Sequence, residues 1–196
     1  MSYTYQGKRP VNFAEEMIDA YLAGIPAEDL PPKGQFTYHQ GVFLSGVEQN
    51  YLRDHRKEYA SYIDRYLDCV LNADKTAKRI NGHFWISPAS LDFRQAGNLL
   101  FRKYRETGDE DYLHSIAELT ESLRDFPKNA YGGFWHMQSQ PNQMWLDGLY
   151  MVGPLCAGYA ISFCRTGPRW TGRKYKLPAP GWIKRPSSCI LRAIGV

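Results

Sequence analysis

The chain has 196 residues, enough for one domain with a sizeable core, and its 43% apolar and 14% aromatic content excludes a disordered or low-complexity protein. The formal net charge of +4 misleads, because eight Lys or Arg and no acid fall between Cys164 and Val196, leaving 16 basic against 20 acidic residues in the body. Nucleic-acid binders spread basic residues over a folded face, so a tail-borne excess argues against a nucleic-acid partner.

The opening Met-Ser-Tyr-Thr-Tyr-Gln-Gly-Lys-Arg-Pro has no apolar core of a leader, so no secretion signal is expected. Asn12 with Glu15 reads as a capping pair for a short amphipathic helix, Phe13 to Leu22, ended by Gly24-Ile-Pro26. Helices are then predicted over Tyr38 to Leu52 and Glu58 to Leu71, joined by the polar turn Arg53-Asp-His-Arg56. A loop from Asn72 to Ser90 precedes a helix from Leu91 to Arg105. Thr107-Gly-Asp109 turns the chain into Glu110 to Leu123, and a second long loop, Arg124 to Asn142, leads to a helix from Gln143 to Phe163. Gly148 to Phe163 is uncharged and apolar, but it is short and holds Pro154 and three glycines, so it reads as a buried core helix and no membrane partner is expected. Cys69 and Cys156 lie in helical apolar patterns and read as reduced core residues, which points to the cytoplasm. No Cys/His cluster has zinc spacing, so no metal or cofactor is expected.

The body repeats. Tyr51 and Tyr59 stand eight residues apart across the first short turn, Tyr104 and Tyr112 eight apart across the second, and the two pairs are 53 residues apart. Each unit is a helical hairpin, and a period of this size means stacked hairpins with function on the long-loop rim. Asp92 opens the helix after the first long loop and Asp147 the helix after the second, 55 residues on. Parallel stacking would therefore bring both carboxylates to one rim, near helix N-termini. Asp147 is the single Asp, Glu, Lys or Arg between Lys128 and Arg165, in a stretch of glycines and aromatics suited to a sugar.

Four stretches carry a family resemblance: Tyr38-His-Gln-Gly-Val-Phe-Leu44, Leu91-Asp-Phe-Arg-Gln-Ala-Gly97, Gly132-Gly-Phe-Trp-His136, and Gln143-Met-Trp-Leu-Asp-Gly-Leu-Tyr-Met-Val-Gly-Pro154. The chain resembles the unsaturated rhamnogalacturonyl hydrolases of glycoside hydrolase families 105 and 88 over about Phe13 to Phe163. The resemblance implies an all-α (α/α)6 barrel, of which this chain covers half the ring as three hairpins in residues 1–163. It implies hydration of the 4,5-double bond of an unsaturated uronic acid on a pectin-derived disaccharide. Asp147 would be the general acid and base, held protonated among aromatics, with Asp92 its carboxylate partner. Tyr38, His136, Trp145 and Gln143 would line the sugar subsite. Met137 stands where the family often has Lys.

Family members run to about twice this length, and the resemblance stops near Phe163. The expectation is therefore a truncated or frame-shifted end, with residues 164–196 an irregular basic tail. It follows that a half ring would self-associate through its open edge and turn over little.

Overall fold

Two left-handed residues set the architecture. A computed structural model of the chain describes residues 4–76 and 89–164; these form helices, turns and isolated β-bridges. The helices are α1 (Pro10–Gly24), α2 (Tyr38–Asp54), α3 (Lys57–Val70), α4 (Asn98–Thr107), α5 (Glu110–Glu121) and α6 (Leu146–Cys164). A short 3₁₀ helix, Ala27–Asp29, follows α1, and another, Leu91–Gly97, runs straight into α4. Helix α2 ends on His55 (φ 56°) and α4 on Gly108 (φ 67°), both left-handed. A left-handed residue breaks the helical ladder and turns the chain back, so each helix is followed closely by its hairpin partner. The two caps are 53 residues apart, the same period as the tyrosine pairs. Tyr59 and Tyr112 are buried, while Tyr51 and Tyr104 pack on the core from the first helix of each pair.

The hairpins α2–α3 and α4–α5 stack so that α2, the Leu91–Gly97 turn with α4, and α6 form an inner row, with α3 and α5 behind it. The inner row closes through glycines. A Cβ at Gly41 would lie 1.8 Å from Gln95 Oε1 and 2.7 Å from the Ala96 backbone. At Gly158 it would lie 2.8 Å from the Phe101 ring. The front of this row is a groove of about 510 Å³ whose lining includes Val42, Glu48, Phe101, Tyr150 and Pro154. Behind it, Tyr62 and Tyr66 of α3 donate their hydroxyls to the carbonyls of Ile25 and Gln35, both at 2.8 Å, which ties the α1–α2 connection to the core.

Several expectations are corrected. Helix α1 begins at Pro10, not beyond Asn12: Arg9 is the cap, and Asn12 sits in the first turn, accepting the Arg9 amide at 3.1 Å. Proline suits a first helical position because no N–H is needed there. Cys156 is buried as expected, but Cys69 is exposed on α3. The described residues supply two complete hairpins and α6, the first helix of a third. The partner of α6 and the basic tail lie outside the described residues. Among the described residues no helix is long and apolar enough to cross a membrane.

The inner and outer rows also share a buried ion cluster. The Arg102 guanidinium is 2% exposed and pairs with Asp64 at 2.6 Å and Glu106 at 2.7 Å, while Glu48 Oε1 lies 3.3 Å from its Nε. Two carboxylates already serve the cation, so the third gains little from it. Burial therefore pushes the Glu48 carboxyl up from 4.5 to about 7, against the opposing pull of Arg102. Between those values the folded protein holds a proton that the unfolded chain releases. Stability is full below the window and falls as pH rises through it, by on the order of 3 kcal/mol. Glu48→Gln should remove this fall, so that its melting temperature exceeds the parent's at pH 8 and matches it near pH 4. Parallel melting curves for the two proteins across that range would contradict the assignment.

Candidate functional site

The first long loop ends in a capped, tight turn. Ser90 Oγ accepts the Asp92 amide at 3.2 Å. The Arg94 guanidinium, 1% exposed, donates to the Ser90 carbonyl at 2.7 Å and to Ser122 Oγ at 2.9 Å. In an α-helix that carbonyl would accept the Arg94 amide, but here the Arg94 side chain takes it. The segment winds as a 3₁₀ helix where one continuous helix from Leu91 is expected, and the guanidinium caps its first carbonyl. Burial depresses the Arg94 pKa to about 10, which leaves it charged at neutral pH.

The second loop is sewn to the first by backbone bonds. Leu91 N–H donates to the His136 carbonyl at 3.1 Å, and Gln138 N–H to the Ala89 carbonyl at 2.8 Å. Within the second loop, His136 N–H donates to the Gln143 carbonyl at 2.8 Å. Helix α6 then starts at Leu146, so Gln143 belongs to the loop, not the helix. Gly148 in its first turn packs against His136, where a Cβ would lie 3.6 Å from the Nδ1.

These constraints converge on His136, which is 3% exposed. Its Nε2 faces Asp92 Oδ1 at 3.8 Å, and its Nδ1 faces Asp147 Oδ1 at 3.7 Å. The imidazole thus stands between the two carboxylates. Trp145 stacks on it at 4.3 Å between ring centroids and 9° between planes. The indole N–H donates to Gln143 Oε1 at 3.0 Å. Trp145 is 38% exposed, so its other face remains open to a ligand.

Of the expected site residues, the fold gathers Asp92, Asp147, His136, Trp145 and Gln143. The contacts that do this leave out Tyr38, which begins α2 and lies ring-to-ring with His39 at 3.9 Å. Two environments differ from expectation. His136 lies behind Trp145, not at the surface, and the Asp147 side chain is 51% exposed, not enclosed among aromatics. Met137 pairs with Ser90 through a backbone bridge, so its main chain helps to sew the loops. Arg94 and Ser90 give no sequence signal beyond one cation in an apolar run, yet they fix the turn that carries Asp92. Among the described residues no group of three or more His, Cys, Asp or Glu could hold a metal ion.

Comparison with known proteins bears on the family and the fold. The family model Glycosyl Hydrolase Family 88 matches residues 11–166. The unsaturated rhamnogalacturonyl hydrolase YesR of Bacillus subtilis (strain 168) is 24% identical over 147 residues, which is 72% of this chain and 40% of that protein. A solved glycoside hydrolase from family 105, of C. acetobutylicum ATCC 824, superposes with a TM-score of 0.65 at 29% identity. It covers 77% of this chain and 40% of its own. The chain therefore spans about two fifths of the length of these relatives, and its helical fold is that of part of an (α/α)6 barrel.

Arg94→Met keeps the packing volume but removes the donor to Ser90. It should cost about 1–3 kcal/mol, the usual loss on removing hydrogen bonds made by a charged group. Chemical denaturation would measure it, and an unchanged midpoint would show that the turn stands without the guanidinium.

Proposed function

The chain belongs to glycosyl hydrolase family 88, and we propose that its site adds water across the 4,5-double bond of a terminal unsaturated uronic acid on a pectin-derived disaccharide. The observation that carries this reading is the pair of carboxylates on either side of one imidazole, beside an exposed indole face. An indole suits the apolar face of a sugar ring. A single accessible acid suits this chemistry better than a two-carboxylate displacement, which needs two carboxyls at set separation across the scissile bond.

Asp147 carries the proton chemistry. Its carboxyl gives a proton to C4, and the positive charge develops at C5 and the ring oxygen. A water adds to C5 and loses its proton to the carboxylate that remains. The residue is restored, and the hemiketal opens to release the neighbouring sugar. One group serves as acid and then base because its state after the first step is the one the second step needs. Trp145 and Gln143 position the ring.

A second reading draws on the half-exposed Asp147 side chain and the open groove along α2, α4 and α6. Water around the acid weakens every electrostatic contact at the site. In that case the chain binds unsaturated disaccharide without turning it over, and it self-associates through the apolar front.

Incubation of the purified chain with unsaturated rhamnogalacturonyl disaccharide distinguishes the two, with calorimetry for binding and loss of ultraviolet absorbance for reaction. Turnover, reduced about 10²–10⁴-fold in Asp147→Asn, is the expected result for the enzyme. Binding without absorbance loss selects the second reading, and absence of both overturns the assignment.

A further inference from the structure

The placement of His136 asks more of it than lining a sugar subsite. It is 3% exposed and shielded by Trp145. Its buried Nδ1 has no hydrogen-bond partner among the described residues, which is costly for a polar atom. The groups packed on it are Asp92 from the 3₁₀ helix, Asp147 and Gly148 from α6, Leu91 and Trp145. Among the described residues, Asp92 and Asp147 are the charged side chains that face it. Each ring nitrogen faces one of them, and neither faces both.

We propose that Asp92 acts through His136: it accepts Nε2–H, fixes the neutral imidazole in that tautomer, and so turns the bare Nδ1 lone pair toward Asp147. A neutral imidazole has one donor and one acceptor, and the nitrogen that carries the proton is set by the hydrogen bond the other end makes. A lone pair at Nδ1 accepts the O–H of a protonated Asp147 and offers nothing to its carboxylate. The pair therefore orients the proton that Asp147 donates. After that proton leaves, the carboxylate faces a lone pair and is ready to take a proton from water. His136 and Asp92 are then positioning residues, and neither needs to touch the sugar. Both distances, 3.7 and 3.8 Å, exceed hydrogen-bond length by about an ångström, so each bond needs a small closing movement of the side chains. The mechanistic role rests on the proposed hydration reaction; the tautomer does not.

Nitrogen NMR of the full 196-residue chain tests the tautomer without turnover. The chain has five histidines, and His136→Gln assigns the signal by its loss. The expected spectrum at neutral pH shows His136 with a protonated Nε2 and an unprotonated Nδ1. Asp92→Ala removes the acceptor at Nε2 and should give a mixture of both tautomers. Asp147→Asn should leave Nε2 protonated. A parent spectrum with Nδ1–H, or with both nitrogens protonated, overturns the proposal, as does a pattern that Asp92→Ala does not change. If the tautomer is as stated and the disaccharide is not consumed, the hydration reading fails while this one stands. Should Asp92→Ala prevent folding, the tautomer of the parent decides alone.

Discussion

The arrangement of this protein depends on a few backbone hydrogen bonds between two loops. Loops seldom hold catalytic geometry on their own, because ordering each residue costs about 1–2 kcal/mol of backbone entropy. Here the cost is met by mutual pairing: Leu91 to His136, Gln138 to Ala89, and His136 to Gln143. The first of these ties the start of a 3₁₀ helix to the residue that both acids face. A small shift in this pairing would part Asp92 from Asp147, although each would keep its own helix.

Two buried cations support that pairing from different sides. Arg94 anchors the end of the first loop to Ser122 past the end of α5, so the turn carrying Asp92 is fixed to the outer row. Arg102 joins α4 to α3 through Asp64 and reaches Glu48 on α2. A buried charge is tolerated only when its hydrogen bonds are met, so each arginine favours one register of the helices around it. The close approach at Gly41 completes this frame by letting α2 lie against the backbone of the 3₁₀ helix.

Much of the fold was legible because it repeats. The tyrosine spacing reports a half-buried residue before each hairpin turn and a buried one after it, and the 53-residue period reappears in the left-handed caps His55 and Gly108. Helix interiors followed from apolar periodicity, and the acids at Asp92 and Asp147 marked the starts of two inner elements. Boundaries were less legible. The start of α1 depends on Pro10, and the 3₁₀ winding at Leu91 is accompanied by a side-chain bond from Arg94 that no periodicity reports. Cys69 shows the limit of periodicity, since an apolar pattern does not say whether a given residue ends up covered. The relation of His136 to the acids was not legible either, because it arises from bonds between segments some 45 residues apart.

Native-state hydrogen exchange at the amides of Leu91, His136 and Gln138 tests the central claim most directly, that paired loops hold the two acids around one imidazole. The account predicts that these three amides exchange only when the whole domain opens, as slowly as amides in the interior of α5. Exchange at the rate of an unstructured peptide, while α5 stays protected, would contradict it.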